Sequence, residues 1–130
     1  MEHQFRSPCT IASTLEIIGD KWTLVVIRSL MLGATSYSEL LAAPERVATN
    51  ILADRLSRLE SWGLVGSVPA PAGGKARRRY QLTAAGADLL PILQAIAVWG
   101  EAHLPDRWPV PDWFRNATPN DFLKRDSQAE

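Results

Sequence analysis

Residues 47 to 63 read Val47-Ala-Thr-Asn-Ile-Leu-Ala-Asp-Arg-Leu-Ser-Arg-Leu-Glu-Ser-Trp-Gly63. Wound at about 100° per residue, this run gathers Ile51, Leu52, Leu56, Leu59 and Trp62 on one side and Asn50, Asp54, Ser57, Arg58 and Ser61 on the other. The polar face is short-chained, with donors, acceptors and one cation. A helix that merely faces solvent more often carries long Glu and Lys side chains. A helix that enters a DNA major groove needs close approach and a few groups able to meet base edges, which suits Thr49, Asn50, Asp54, Ser57 and Arg58. Gly63, tolerant of left-handed backbone, is expected to end the helix.

Working upstream, Ala42-Ala-Pro-Glu-Arg46 is a turn, because Pro44 prevents a helix from continuing. Before it, Ser36-Tyr-Ser-Glu-Leu-Leu41 starts another helix. Ser36 is a good N-cap, with Glu39 at capping-box spacing. The helix start, Ser36, Tyr37 and Ser38, can also meet a DNA phosphate through free N–H groups; capping alone explains the same residues without a ligand. Residues 36–63 thus read as a helix-turn-helix. Arg55 falls inside the apolar arc of the second helix, where a cation should be paired. Glu39 is the nearest carboxylate by topology, so the pair is expected to clamp the two helices together. Further back, Lys21 to Leu32 is apolar nearly all round and predicts a helix covered on most sides, with Asp20 or Thr23 as its cap. Cys9 to Ile18 reads as a short amphipathic helix closed by Gly19.

Downstream, residues 64–68 and Arg79-Tyr-Gln-Leu82 are strand-like and flank a Pro/Gly loop that cannot be strand interior. The loop ends in Lys75, Arg77, Arg78 and Arg79. Alone, such a run is an ordinary solvated patch. Directly after a helix-turn-helix it reads as a wing, residues 64–82, that contacts phosphates and the minor groove. Thr83 is expected to cap a long helix to about residue 104, kinked or divided at Pro91. The tail, 106–130, carries Trp108, Trp113 and Phe114, aromatics that need cover from the body or from a partner chain. Its last seven residues are expected to be disordered.

The fold class that follows is mainly α with a small β element: a winged helix-turn-helix domain over 1–105 and a C-terminal tail. The 130-residue length suits one domain, and 46% apolar residues suffice for a core. Asp20, Lys21 and Arg28 interrupt the one apolar run that approaches a membrane span. No export signal is visible and the sole cysteine is Cys9, so a cytoplasmic protein is expected. Net charge is zero but unevenly placed. Residues 36–82 hold seven basic against four acidic residues, and residues 83–130 four against seven. The basic part coincides with the helix-turn-helix.

Cys9, Gly19-Asp-Lys-Trp-Thr-Leu-Val-Val-Ile-Arg-Ser-Leu30, Ser38-Glu-Leu-Leu41, Ala48 to Glu60, Gly63-Leu-Val65, Arg79-Tyr-Gln-Leu-Thr-Ala-Ala-Gly86 and Leu89-Leu-Pro-Ile-Leu93 together resemble the HxlR-type winged helix-turn-helix transcription regulators. The resemblance spans roughly residues 8–104, in ordered blocks. It implies a bacterial, cytoplasmic homodimer, with helices 9–18 and 83–104 forming the dimer and two recognition helices reading a palindromic operator in double-stranded DNA. The wing loop departs from the family's usual composition, and the tail lies outside its core. Some members sense oxidants through a cysteine just before the first helix, which is where Cys9 stands. A helix N-terminus favours thiolate there. The alternative is a small buried hydrophobe in the dimer core.

A sequence-specific regulator, most simply a repressor responding to a redox signal or small molecule, is therefore the leading reading. A pocket lined by Trp22, Trp62 or Trp99 is a possible effector site. The rival is a winged-helix protein-interaction module without DNA binding, which would need an apolar patch where Asn50, Asp54 and Arg58 stand. No enzyme is expected. Cys9, His3 and His103 are the only nucleophile–base types, and no metal spacing, phosphate loop or cofactor motif is present.

Overall fold

A computed structural model describes residues 3–69 and 78–123. The element order is α1 (Thr10–Ile18), α2 (Thr23–Met31), α3 (Tyr37–Leu41), α4 (Thr49–Ser61), β1 (Val65–Pro69), β2 (Arg78–Leu82), α5 (Ala84–Ala87), α6 (Leu90–His103), α7 (Asp112–Asn116) and a 3₁₀ turn at Pro119–Phe122. The fold is mostly helical with one two-stranded antiparallel sheet, in which Val65 faces Leu82 and Ser67 faces Tyr80. It is a winged helix-turn-helix.

One core holds the elements together. Ile27 of α2, Leu52 and Leu59 of α4, and Leu90 of α6 are its most buried large side chains. These four come from helices far apart in the chain, so the core forms only when α2, α4 and α6 assemble. Helix α4 contributes Leu52, Leu56 and Leu59, at the spacing its amphipathic pattern predicts. Gly63 adopts φ +76°, and the amides of Gly63 and Leu64 donate to the carbonyls of Glu60 and Leu59. This paired arrangement satisfies the last helical carbonyls and turns the chain into β1. Gly86 has a different reason to be glycine. A Cβ there would lie 2.0 Å from the Leu64 carbonyl oxygen, so α5 packs directly on the strand entry.

Several local expectations hold. Ser36 and Glu39 form the capping box of α3, and Thr83 accepts from the Gly86 amide. The long C-terminal helix is divided: α5 ends before Asp88, and Pro91 sits in the first turn of α6, where its missing N–H costs nothing. One expectation needs correction: Pro69 is not outside the hairpin but the last residue of β1, opposite Arg78, an end position where no ladder donor is required. Helix α2 is covered on most sides, as expected: Thr23, Val26, Ile27, Ser29, Leu30 and Met31 are buried and Leu24, Val25 and Arg28 half-buried, with Leu32 exposed just past its end.

The segment after 106 is tied to the body. Phe114 joins the core. The Gln94 side-chain amide donates to the carbonyls of Phe114, Arg115 and Ala117 at 2.9, 3.2 and 3.1 Å. Glu101 pairs with Arg115 and accepts from the Val110 amide. Trp108 and Trp113 stay exposed. The expected disorder of the last seven residues lies outside the described residues. No described helix is long and apolar enough to cross a membrane.

Candidate nucleic-acid interface

Thr49, Asn50, Asp54, Ser57 and Arg58 are all exposed on α4, while its leucines face inward. Asn50, Asp54 and Ser57 lie along one stripe, with Thr49 and Arg58 to either side. Asp54 is also an electrostatic hinge. Its carboxylate lies 3.1 Å from Arg58 Nε, one turn on, and 2.6 Å from a terminal nitrogen of Arg55. Arg58 is thereby oriented along the helix surface, and it must leave this exposed pair to reach a base. Such a pair costs little to break.

The recognition helix is braced at three points. The Tyr37 hydroxyl donates to the Thr49 carbonyl at 2.7 Å, joining α3 to the first turn of α4. The Arg28 guanidinium holds Glu45, in the turn before α4, through two bonds of 2.7 and 2.8 Å. Arg28 thereby keeps the Glu45 carboxyl below the usual carboxylate range. The third brace corrects the expected Glu39–Arg55 pair. Arg55 Nε instead donates to Asp20 at 2.8 Å. Glu39 is already committed to the amides of Thr35 and Ser36, which lower its pKa, and so turns away from α4. Arg55 is still a clamp, but between α4 and the entry to α2.

Asp20 is the most perturbed group. Partial burial pushes its carboxyl up, but bonds from Thr23, Arg55 and the Trp22 amide outweigh that, and its pKa falls to about 2. The same carboxylate caps α2 through the Trp22 and Thr23 amides, as the sequence suggested. Bonding to Asp20 raises the Arg55 pKa further.

On the phosphate side, Ser36 and Ser38 stand together at the start of α3, their hydroxyls 3.3 Å apart. From β2, Arg79 reaches the neighbouring Thr35, donating to its Oγ1 at 3.0 Å, and the Tyr80 amide donates to the Thr35 carbonyl. The wing base is therefore hydrogen-bonded to the residue preceding α3. Arg78 Nε donates to Ser67 Oγ at 3.0 Å, and Ser67 donates in turn to Glu60 of α4 at 2.5 Å. The Tyr37 hydroxyl is spent on Thr49 and acts as a brace, which leaves the expectation for its backbone N–H at the start of α3 untouched. Lys75 and Arg77 lie outside the described residues.

Arg46 was overlooked in the sequence. It is exposed in the turn just before α4 and holds φ +57°, a left-handed conformation rare for an arginine. Only the general cation count of the segment hinted at it. Asp20 as the partner of Arg55 had no signal at all, being 35 residues away. Cys9 is exposed at the N-cap of α1, so this chain alone does not bury it. None of Trp22, Trp62 or Trp99 lines the apolar recess between α2, α6 and the tail; Trp22 borders only a small crevice towards Leu40 and Val47, and Trp62 packs edge-on against His3 and near Phe5. Among the described residues no cluster of His, Cys, Asp or Glu is suited to hold a metal.

A family model described as HxlR-like helix-turn-helix matches residues 17–107. An HTH-type transcriptional regulator of Mycobacterium tuberculosis, MT3179, is 30% identical over 105 residues, which are 81% of this chain. The chain spans 65% of that relative's length. Among solved structures, PA1607, described as a transcription factor, superimposes with a TM-score of 0.72 at 36% identity, over 81% of this chain and 73% of that one. The oxidised form of the redox regulator HypR superimposes with a TM-score of 0.65 at 26% identity, over 77% and 99%.

Proposed function

The chain belongs to the HxlR-like helix-turn-helix family, and from that premise we propose that it is a sequence-specific DNA-binding transcription regulator acting as a homodimer. The observation that carries this reading is the outer face of α4. It presents four short polar side chains and Arg58 to solvent while three braces fix the helix's position. Asn50 suits adenine, Arg58 guanine, and Asp54 the amino group of cytosine. Ser36, Ser38, Arg46, Arg78 and Arg79 flank that face and supply phosphate contacts, and Lys75 and Arg77 add two further cations in sequence; these contacts give most of the salt-dependent affinity. An apolar patch, which the protein-docking alternative requires, is not what the face of α4 offers.

The homodimer is supported by exposed apolar side chains on α1 (Ile11, Leu15) and α6 (Ile96, Val98, Trp99). Two copies joined there would read a palindromic operator with half-sites about 34 Å apart. Repression by steric occlusion is the simplest action of such a dimer. Exposed Cys9, and the likeness to a redox regulator, support an oxidant as one signal. With one cysteine per chain, any disulfide would be between subunits or with a small thiol.

The test is selection of bound genomic fragments, followed by electrophoretic shifts on operator variants. Asn50→Ala and Arg58→Ala are expected to relax preference at single positions, by about 1–3 kcal/mol each. Arg78→Ala should weaken all sequences alike and lower the salt dependence by about one unit of slope. Uniform losses for all three would refute the division of roles. Repeating the selection with oxidant, in wild type and Cys9→Ser, tests the thiol.

A further inference from the structure

We infer that the recess between α2, α6 and the tail is an effector site for a small, uncharged, two-ring aromatic molecule carrying one hydrogen-bond acceptor, and that its occupancy is transmitted to α4 through Arg28 and Glu45. The consequence for DNA rests on the regulator reading; binding itself does not.

The recess has a volume of about 370 Å³, within the usual range for small-molecule sites. Leu24 and Leu32 wall it from α2, Ile96 from α6, and Trp108 and Trp113 from the tail. The two indoles are 81% and 53% exposed, so they cost free energy as they stand and regain it when a ring packs on them. The tail wall is built in, since Gln94 and Glu101 tether it to α6. Trp108 and Trp113 lie just beyond the residues that the family model matches.

Arg28 is the only charged side chain on the lining. Glu45 already neutralises it with two bonds, so the site calls for no anion. Arg28 Nε, however, is buried and has no hydrogen-bond partner among the described residues. A buried donor left unpaired is unfavourable and asks for an acceptor. A carbonyl or hydroxyl oxygen on a ligand supplies one once the guanidinium turns towards the recess. That turn pulls on Glu45, which stays paired with the guanidinium and anchors the segment leading into α4. Ligand binding and the position of the recognition helix are thus coupled through one side chain.

The probe is prodan, an uncharged naphthyl ketone whose emission shifts to the blue on leaving water. Titrated into the full chain without DNA, it should bind saturably, once per chain. Ala97→Phe, which fills the recess from α6, should weaken binding at least about tenfold while leaving the unfolding transition in place. Trp113→Ala, which removes a wall without adding volume, should also weaken it. Trp62→Ala, which removes an indole outside the recess, should bind as wild type. Saturating prodan should then lower operator affinity about fivefold in wild type and not in Ala97→Phe. The inference is overturned by absence of saturable binding, as when a second copy covers the recess. Equal losses in Trp62→Ala and Ala97→Phe, or binding without change in operator affinity, also overturn it. If the chain shifts no DNA even without prodan, the regulator reading fails, and the titration still decides whether the recess binds.

Discussion

Helices α4 and α6 are nearly equal in length, 13 and 14 residues, yet their outward faces are opposites. Helix α4 buries three leucines and turns Asn, Asp, Ser and Arg to solvent. Helix α6 buries only Leu90 and leaves Ile92, Ile96, Val98 and Trp99 exposed. A polar outer face is satisfied by water and remains free to trade water for a base edge. An apolar outer face has nothing to trade and gains only by being covered. Under the proposed function the two helices take different partners, a duplex for α4 and a second copy for α6. Their bracing differs in kind as well: α4 is held by directional bonds from Tyr37, Arg28 and Asp20, which set an angle.

The largest effect should come from charging α6. Ile96→Glu combined with Trp99→Glu is expected to give a monomer in analytical ultracentrifugation and to lower operator affinity about a hundredfold or more, because one half-site is lost. A variant that remains dimeric with full affinity would break the contrast between the helices. Next is the core beneath α4. Leu52→Ala should cost about 2–5 kcal/mol in chemical denaturation, since Leu52 is fully enclosed and its removal leaves a cavity.

The Asp20 brace should show in the pH dependence. Its folded pKa, about 2, lies below the unfolded value of about 3.8. Its contribution is then complete above about pH 4 and is lost as pH falls towards 2. Allowing for solvent screening of a partly exposed carboxylate, Asp20→Asn should cost about 1–2 kcal/mol at neutral pH and little at pH 2. A constant difference between the two proteins across that range would show that Arg55 gains nothing from the charge. The smallest effect is at α3, where Ser36→Ala should lose about 1 kcal/mol of stability by opening the capping box. A much larger loss of DNA affinity than of stability would mark Ser36 as a phosphate ligand too.

Much of this molecule was readable along the chain because the relevant signals are local. The three leucines of α4 recur at helical spacing, Gly63 follows at once, and Ser36 and Glu39 are three residues apart. Thr83 precedes the helix it caps. Each depends on backbone geometry within one or two turns, which side-chain order alone specifies. The stripe of Asn50, Asp54 and Ser57 was legible for the same reason. The errors concern partners across the fold. Arg55 needed a carboxylate, which its place in the apolar arc showed, but Glu39 is nearer in topology only, and its own cap had already claimed it.

Residue order by itself determined the helix-turn-helix, the hairpin and the polar face of α4, because periodicity and capping act over distances the backbone bridges directly. Only the tertiary structure decided that Arg55 meets Asp20, that Arg28 grips the turn before α4, that Arg79 lies against Thr35, and that Gln94 ties the tail over α6. Those contacts join residues 17 to 44 positions apart. Which partners meet at such separations is set by how the elements pack around Ile27, Leu52, Leu59 and Leu90, and no periodicity in the chain encodes that choice.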